Sequence, residues 1–435
     1  MKQKTNVIII FFMLIFLIVS FSHSIYADNE TNDEWNKTYG GLDNEEGYHI
    51  QQTNDGGYII VGDTSSYGEI VDVWMVKTNS QGNEEWNKTF GGENADVGMF
   101  IQQTDDGGYV ITGHTGSYGV QNEFSTIIDV WLIKTDENGT EEWNKTYGGT
   151  GLDYSEAVRQ TLDRGYIIVG YTDSFGASDN DLWLIKTDEN GTEEWNKTYG
   201  GSGDDIASFM IQNNNEDYLI LGHTGSFGAG QDDIWIINVD DNGVEQWNRT
   251  YGGADYDFGE SISQTNDDGY IIVGSTLSYR DGPSDLWLIK INSNGEEEWN
   301  KTFGGRDMDC GNDVKQTSDG GYIITGETES FDSDSKDLWL IKTDPNGNKE
   351  WDNLFGGPNY DAGYSILQAQ DGSYIITGFT DTTEKNYDIC LIKTFGVKDI
   401  SHEEISPEGE KTPGFELIFV IISAIIVYFI SRKNR

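Results

Sequence analysis

A segment of about 52 residues occurs seven times in this chain. DVWLIKTDENGTEEWNKTYGG begins at Asp129 and returns at Asp181 with one residue changed. In all seven copies, the glycine that ends an apolar run lies 21 positions after the second glycine of a Tyr-Gly-Gly or Phe-Gly-Gly step. The 13 Trp residues fall into two columns: Trp35, Trp86, Trp143, Trp195, Trp247, Trp299 and Trp351; then Trp74, Trp131, Trp183, Trp235, Trp287 and Trp339, with Cys390 in the seventh copy. Fixed spacing over seven copies predicts a repeat architecture, in which neighbouring units bury one another.

Each copy is predicted to form four β-strands. Residues 261–265, 165–170, 182–187 and 193–200 represent the first to the fourth strand. A D-x-N-G turn joins the third strand to the fourth, and its glycine is expected in the left-handed conformation that hairpin turns favour.

The third strand of each copy is apolar on both faces. Trp183 and Ile185 alternate with Leu182 and Leu184, so that both faces of the sheet need a partner. Four-stranded sheets that are covered on both faces by neighbours are the blades of a β-propeller. A solenoid is the alternative, but it needs polar terminal repeats, and the terminal copies here are not atypical. We therefore expect an all-β, seven-bladed β-propeller with four-stranded antiparallel blades.

The array begins partway through a repeat. A fourth-strand sequence, residues 34–41, comes first, and a third-strand sequence, residues 388–394, comes last. If the first strand completes the last blade, the ring closes and no strand edge stays open. Residues 28–396 are therefore expected to form one propeller that is closed by its N-terminal strand.

Both ends of the chain carry targeting signals. Residues 1–27 have a basic start and a long apolar run, which is typical of a secretory signal peptide, with an uncleaved anchor as the alternative. A second apolar segment, residues 417–430, is followed by basic residues, which predicts a short transmembrane segment with a cytoplasmic C-terminus. We expect a short acidic stalk at residues 397–412, a final segment at 413–435, and a location on the outer face of the cell membrane.

The final segment resembles the PGF-CTERM sorting signal of archaeal surface proteins. The matching residues are Pro413, Gly414 and Phe415, with the basic cluster Arg432, Lys433 and Arg435. This resemblance implies an archaeal cell surface, processing by an archaeosortase-type enzyme and a lipid anchor. The stalk is shorter than the Thr-rich stalk that is frequent in the family, which places the expected propeller close to the membrane.

The blade pattern resembles that of quinoprotein-like (PQQ-like) propellers over the whole array. G-Y-I-I-V-G is followed by L-W-L-I-K-T-D-x-N-G and then by Trp. The quinone-dependent dehydrogenases of that class have an adjacent cysteine pair at the cofactor, whereas Cys310 and Cys390 lie 80 positions apart. The resemblance therefore implies the blade and no quinone site, and Cys390, in a Trp column, is expected to be a small core residue.

Charge excludes one class of partner. The chain has 75 acidic and 27 basic residues, a formal net charge of −48, which repels phosphate backbones and excludes nucleic acid as a partner. No G-x-S-x-G, H-E-x-x-H or Walker-type motif occurs in the sequence. The five His residues are too few for an evident zinc cluster, and His114 and His223 follow a glycine in separate copies as structural residues would.

Carboxylates recur at two positions of the repeat and predict two acidic rings on one face. The first ring is Glu45, Asp96, Asp153, Asp205, Asp257, Asp309 and Asp361, four positions after each Gly-Gly. The second ring is Asp72, Asp129, Asp181, Asp233, Asp285, Asp337 and Asp388, before each third strand. Oxygen ligands suit calcium, which makes the first ring a candidate cation-binding face. Capping of turns by each carboxylate is the favoured alternative, because the residue recurs in every copy.

Differences between copies are expected to mark function. Copy two has five extra residues within 116–129, while Arg280, Arg306 and Lys336 interrupt the acidic loops. Aromatic residues follow Ser at one loop position: Tyr67, Tyr118, Phe175, Phe227, Tyr279 and Phe331. These rings suit sugar binding, and packing against the blades is the alternative.

Nine N-x-[ST] sequons make the predicted outer strands candidate sites of N-glycosylation. Six lie in the repeat, at Asn36, Asn87, Asn144, Asn196, Asn248 and Asn300. The alternative is that Asn and Thr are simply the exposed residues of a repeated strand.

The sequence favours a surface-anchored binding, adhesion or cell-envelope protein, with a cell-surface glycan or a protein as its ligand. The alternative is an extracellular enzyme of the glycosidase or lyase class that acts on a polysaccharide. A pair of carboxylates that breaks the repeat and lies in the channel would favour the enzyme.

Overall fold

Seven four-stranded antiparallel sheets form the part of the chain that the structure describes. The structure, a computed structural model, describes residues 34–68, 70–119, 127–177, 179–331, 335–381 and 386–396. Within these ranges all regular elements are strands, and no helix is long and apolar enough to cross a membrane. The predicted signal peptide, stalk and sorting segment lie outside the described residues.

The strands of each blade follow one another from the axis outward. The innermost strands of blades 1 to 7 are β2 (Glu45–Gln52), β6 (Asp96–Gln103), β10 (Asp153–Gln160), β14 (Asp205–Gln212), β18 (Asp257–Gln264), β22 (Asp309–Gln316) and β26 (Asp361–Gln368). The second strands are β3 (Tyr58–Thr64), β7 (Tyr109–Thr115), β11 (Tyr166–Thr172), β15 (Tyr218–Thr224), β19 (Tyr270–Thr276), β23 (Tyr322–Thr328) and β27 (Tyr374–Asp381). The third strands are β4 (Asp72–Thr78), β8 (Asp129–Thr135), β12 (Asp181–Thr187), β16 (Asp233–Val239), β20 (Asp285–Ile291), β24 (Asp337–Thr343) and β28 (Tyr387–Thr394). The outer strands are β5 (Glu84–Phe90), β9 (Glu141–Tyr147), β13 (Glu193–Tyr199), β17 (Glu245–Tyr251), β21 (Glu297–Phe303) and β25 (Lys349–Phe355), and for blade 7 β1 (Trp35–Tyr39).

The N-terminal strand closes the ring, as the sequence predicted. The last sheet has the order β1-β28-β27-β26, and Trp35 pairs with Lys393 at one end of the join. Glu34 Oε1 accepts hydrogen bonds of 2.9 Å from the Thr394 hydroxyl and from the Phe395 amide. The prediction of a closed, seven-bladed β-propeller is confirmed.

The cores lie between neighbouring blades. Leu182 and Trp183, which point to opposite faces of β12, are 1% and 2% exposed. One core cluster packs Val61 and Met75 of blade 1 against Ile111 and Trp131 of blade 2. Burial on both faces explains why the third strands are apolar runs rather than alternating ones.

The innermost strands begin four residues earlier than the sequence predicted. Residues 261–265 were expected, whereas β18 begins at Asp257. A bulge between Gly259 and Ser261 inserts one extra residue opposite β19, and every innermost strand has the same irregularity. The bulge interrupts the two-residue alternation, which is why the first half of the strand was not recognised. It also turns two successive side chains, such as Glu260 and Ser261, towards the axis.

A glycine between two buried carboxylates joins each blade to the next. At the end of β25, a Cβ on Gly356 would overlap Oδ1 of Asp337 and lie 2.7 Å from Oδ2 of Asp361. Burial raises the pKa of Asp337, and the carboxylate of Asp361 adds to that effect. The first glycine of the Gly-Gly step is therefore needed because no side chain fits there, and not because of its turn geometry.

Substitution at this step gives a matched pair of variants. We expect Gly356→Ala to destabilise the protein by about 1–3 kcal/mol, because the methyl group must displace a buried carboxylate. Gly357→Ala should stay within about 0.5 kcal/mol, since a Cβ there meets no atom within 4 Å. Denaturant midpoints of the two variants measure the difference, and equal midpoints would contradict this account of the glycine.

Candidate functional site

The first carboxylate ring caps turns inside the blades. Asp205 is fully buried: Oδ2 accepts hydrogen bonds from the Gly201 amide and the Ser226 hydroxyl, both at 2.7 Å, and Oδ1 accepts one from Thr224. The other members, Glu45, Asp96, Asp153, Asp257, Asp309 and Asp361, are 0–2% exposed and each accepts a hydrogen bond from the equivalent glycine amide. These contacts are the ones that turn capping requires, and calcium binding by this ring stays a prediction. No group of three or more His, Cys, Asp or Glu side chains within the described ranges is arranged to hold a metal ion.

The second ring is also largely withdrawn from the surface. Asp233 is 1% exposed, and its Oδ2 accepts a hydrogen bond from the Ala229 amide. Burial raises the pKa of this carboxyl, and the neighbouring carboxylate of Asp257 adds to the rise. The two rings therefore cap turns within the blades and at the links between them, rather than forming an open acidic mouth.

The aromatic residues of the loops form a half-exposed rim on the same face. Tyr279 is 50% exposed and tilts over Trp287 at 5.3 Å between ring centroids, while its hydroxyl donates to the Gly252 carbonyl at 2.9 Å. Five further rings lie over the Trp of their own blade at 5.2–5.4 Å: Tyr67, Tyr118, Phe175, Phe227 and Phe331. Packing thus explains one face of each ring, while five of the six side chains, all but Phe331, stay 44–50% exposed.

Two of the three loop cations that interrupt the acidic pattern, Arg280 and Lys336, are paired on this face. Lys336 lies 2.7 Å from Glu327, and Arg280 lies 3.8 Å from Asp255. Much of the insertion in blade 2, residues 120–126, lies outside the described residues.

The cysteines and two histidines have structural surroundings. Cys390 is 2% exposed and packs with core residues of blades 6 and 7, as expected, and neither cysteine forms a disulfide. Burial lowers the pKa of His114 and His223 to about 4, so both imidazoles are neutral at pH 7. Their rings lie against Tyr154 and Phe258.

The repeat sequons lie on the outer strands, as expected, and have a contact that the sequence did not show. Asn196 Oδ1 accepts a hydrogen bond of 3.2 Å from the Trp183 indole, and its amide nitrogen donates to Glu193 at 2.6 Å. Asn144 has the same two contacts. Asn36, Asn87, Asn196, Asn248 and Asn300 are exposed, and Asn144 is half-buried. The bond from the indole occurs at Asn144, Asn196 and Asn300, and the bond to a Glu of the same strand occurs at these three and at Asn87 and Asn248. These bonds give the residue a structural role, and glycosylation stays a prediction.

The channel is where the seven copies differ most. The bulged position of the innermost strands contains, from blade 1 to blade 7, Tyr48, Met99, Glu156, Ser208, Glu260, Asn312 and Tyr364. The next position contains His49, Phe100, Ala157, Phe209, Ser261, Asp313 and Ser365. A cavity of about 280 Å³ on the axis is lined by residues of all seven blades, all of them from these two positions. We call it the upper cavity, because it opens towards the face where the innermost strands begin.

Two glutamates in the upper cavity hold protons unusually tightly. Burial raises the pKa of Glu156 to about 8, and the carboxylate of Glu260 adds to that rise. Burial raises the pKa of Glu260 to about 7, with a further contribution from Glu327. At pH 7 the pair therefore has fewer than two negative charges, and can donate as well as accept hydrogen bonds.

Aromatic rings stand opposite these glutamates. Tyr48 and Tyr364, from the first and last blades, lie 5.5 Å apart between centroids. Asp63 lies behind Tyr48, and burial raises its pKa to about 7. The wall of the upper cavity thus combines two phenol rings, the carboxyl groups of Glu156, Glu260 and Asp313, and the amide of Asn312.

A layer of rings closes the channel below the upper cavity. His49 stacks on Phe100 at 3.7 Å, and Phe100 meets Phe209 edge-on at 5.8 Å. Burial holds the pKa of His49 well below its usual range, and the positive charges of Arg159 and Lys315 add to that effect. The layer separates the upper cavity from a second one, of about 350 Å³, which opens towards the face where the innermost strands end.

Sequence reasoning did not identify any of the channel residues. The expectation that function lies where the copies differ was applied to the loops between strands. At the bulged position the seven copies contain Tyr, Met, Glu, Ser, Glu, Asn and Tyr, which differ more from one another than the aromatic residues of the loops do. It was readable from the sequence once the copies had been aligned from Asp to Gln along the full innermost strand.

Comparison with known proteins supports the fold and nothing finer. No protein-family model and no curated protein sequence matches the chain. Among solved structures, a puromycin hydrolase superposes with a TM-score of 0.50 at 11% identity, over 81% of this chain and 54% of its own. The polysaccharide lyase Uly1 gives 0.48 at 10% identity, over 85% of this chain and 94% of its own. Plexin A of Drosophila, in complex with Semaphorin 1b, gives 0.47 at 10% identity, over 82% of this chain and 88% of its own. The chain is a seven-bladed β-propeller, and at these identities the likenesses show the fold alone.

Proposed function

We propose that this chain is a surface-anchored β-propeller that binds a glycan by taking a sugar residue into the upper cavity. The main support for this proposal is that the residue type at the channel wall differs between blades, whereas much of the repeat is nearly constant. The wall contains Tyr48, Glu156, Glu260, Asn312 and Tyr364. A wall that only served packing would have no need of this mixture of Tyr, Met, Glu, Ser and Asn at one position of the repeat.

The size and chemistry of the upper cavity suit one sugar ring. A cavity of about 280 Å³ is close to the lower limit of small-molecule sites. The faces of Tyr48 and Tyr364 can cover the apolar C–H face of a sugar. Carboxyl and amide groups opposite them can exchange hydrogen bonds with its hydroxyl groups.

The charge of the cavity favours a neutral sugar over an acidic one. Glu156 and Glu260 already repel each other's ionised forms, and a carboxylate or sulfate on the ligand would add to that repulsion. Neutral hydroxyl groups meet no such penalty.

The surface location remains part of the proposal. It depends on the predicted signal peptide and on the PGF-type tail at Pro413, Gly414 and Phe415, which lie outside the described residues. A secreted, anchored propeller would present its channel to glycans of the cell envelope or of neighbouring cells, which accords with an adhesion role.

A polysaccharide-active enzyme is the second candidate, and one observation favours it. Glu156 and Glu260 are the repeat-breaking carboxylate pair that such an enzyme needs. A carboxyl group with a pKa of about 8, as burial gives Glu156, stays protonated at neutral pH and can serve as a general acid.

Binding of neutral oligosaccharides to the purified protein tests the proposal. We expect a screen to find a ligand that Tyr364→Ala binds about two- to tenfold more weakly, since one stacking contact contributes about 0.5–1.5 kcal/mol. Tyr279→Ala, which removes a rim ring outside the cavity, should bind as wild type does. Equal binding of the ligand by both variants would show that the upper cavity is not the binding site.

The same ligands separate binding from catalysis. If the wild-type protein cleaves a ligand and Glu156→Gln binds it without cleavage, the protein is an enzyme rather than a binding protein. If no ligand is cleaved, binding is the function of the cavity.

A further inference from the structure

We propose that the lower cavity, the 350 Å³ space beyond the layer of His49, Phe100 and Phe209, binds a small organic acid through Arg159. Arg159 and Lys315 line this cavity. The proposal concerns the opposite half of the channel from the upper cavity, and it does not depend on the proposed glycan binding.

Arg159 has no carboxylate in ion-pair contact in the described part of the chain. Burial lowers its pKa to about 10, and the carboxylate of Asp313, which is bound to Lys315, acts in the opposite direction from farther away. Its one hydrogen bond there is from Nη1 to the Val158 carbonyl at 3.3 Å, and its guanidinium lies 4.3 Å above the Phe100 ring. Buried lysines of the blades are different: Lys186 lies 2.9 Å from Asp163 and 3.1 Å from Glu194. In a chain with a net charge of −48, a cavity cation that no carboxylate contacts directly indicates a place for an anion from outside.

Lys315 does not supply a second free charge. Its Nζ lies 2.5 Å from Asp313 Oδ1. Asp313 is held in turn by the Ser261 hydroxyl at 2.7 Å and by the Ile366 amide at 2.9 Å. The pair Lys315–Asp313 is neutral together, so the lower cavity offers one net positive charge.

Two glutamines add donors at the same level of the channel. Gln51 Oε1 accepts from the Gln103 amide at 2.6 Å, and Gln102 Oε1 accepts from the Gln160 amide at 2.7 Å. Each of these oxygens thus binds the backbone of the next blade, and the side-chain NH₂ groups are left to donate. They add hydrogen-bond donors for an anion beside Arg159.

The class of ligand follows from the single net positive charge of the lower cavity and from the planar guanidinium group of Arg159. A guanidinium binds a carboxylate through two parallel hydrogen bonds, and a single carboxylate matches one positive charge, whereas phosphate at pH 7 brings more than one. The ring layer above gives the body of the ligand an apolar surface. A monocarboxylate with a compact body fits, either as a free sugar acid or as the acidic end residue of a polysaccharide.

Calorimetry on the purified protein tests the proposal with glucuronate as the probe. We expect glucuronate to bind at least about tenfold more tightly than glucose or inorganic phosphate. Arg159→Gln should abolish the binding, and Arg159→Lys should weaken it while the charge is kept. Arg249→Gln removes an equal charge from an exposed outer strand and should change nothing.

Three outcomes would overturn the proposal: equal binding of glucose and glucuronate, wild-type binding by Arg159→Gln, or equal losses in Arg159→Gln and Arg249→Gln. Tyr364→Ala distinguishes the two cavities, because it should lower binding of neutral glycans and leave glucuronate binding intact. An oligosaccharide with a terminal glucuronate shows whether the carboxylate comes from a polysaccharide end or from a free sugar acid. Binding of the oligosaccharide indicates a polysaccharide end, and binding of the free acid alone indicates a soluble metabolite.

Discussion

Deletion of residues 31–41 is expected to lower the melting temperature by about 5–10 °C and to make the protein prone to aggregation. The deletion removes β1, so that β28 loses its five paired residues from Trp35 to Tyr39. The strand contributes the buried ring of Tyr39 and the half-buried Trp35, and truncation of one buried aromatic side chain costs about 3–5 kcal/mol. Each kcal/mol corresponds to about 2 °C or less in a domain of this size. The exposed edge of β28 would then be open to pairing with other chains.

The contacts of β1 explain why a strand of five residues has such an effect. The Tyr39 hydroxyl donates to the Gly82 carbonyl of blade 1 at 2.6 Å, and Trp35 meets Tyr58 of the same blade at 6.4 Å. The strand therefore completes blade 7 and also fastens it to blade 1.

Two controls make the deletion informative. Removal of residues 28–33 alone, which spares β1, should leave the melting temperature unchanged. A synthetic peptide of residues 31–41, added to the deleted protein, should restore part of the loss. A deletion that melts with wild type would show that the ring does not depend on this strand.

The fold was predictable because repetition makes each local signal count seven times. The D-x-N-G turn predicted a left-handed glycine, and Gly191 has a φ of 71°. Apolar runs such as residues 182–187 predicted sheets that are covered on both faces, and the positions of the first and last strands predicted closure. The innermost strands were predicted less well, because one bulge breaks their alternation in every copy.

The candidate site was not predictable from the same signals. The repeated residues indicate the fold, whereas the channel residues differ from copy to copy and form no motif along the chain. The carboxylates that recur, such as Asp205, are the ones that cap turns, while Glu156 and Glu260 each occur in a column of unlike residues. Their proximity depends on the ring, which brings blades 3 and 5 to one axis although the two residues are 104 positions apart. The raised pKa values depend further on burial in the channel, which no single strand shows.

Replacement of both channel glutamates is expected to change how stability depends on pH. The pKa of Glu156 rises from 4.5 to about 8 and that of Glu260 to about 7 on folding, mainly through burial. Between pH 4.5 and 8 the folded chain therefore holds more protons than the unfolded chain, so these two groups make stability fall as pH rises. The denaturant midpoint of wild type should decrease from pH 5 to pH 9, and that of the double variant Glu156→Gln, Glu260→Gln should decrease less.

The expected size of this difference follows from the shifts and from the water in the cavity. One pKa unit corresponds to about 1.4 kcal/mol, but both side chains are partly open to the cavity, whose water screens their charges. We therefore expect the double variant to gain on the order of 3 kcal/mol over wild type at pH 9, and little at pH 5.

A control variant with the same change of net charge separates the channel from the surface. Glu137→Gln with Glu189→Gln alters two exposed turn residues of blades 2 and 3, and should follow the pH dependence of wild type. If the channel variant also followed wild type, both glutamates would be solvated and ionised at neutral pH. The upper cavity would then lack the protonated carboxyl group that a general acid requires, and the proposal of an enzyme would lose its support. The proposal of glycan binding would be unaffected, because it rests on the residues of the channel wall.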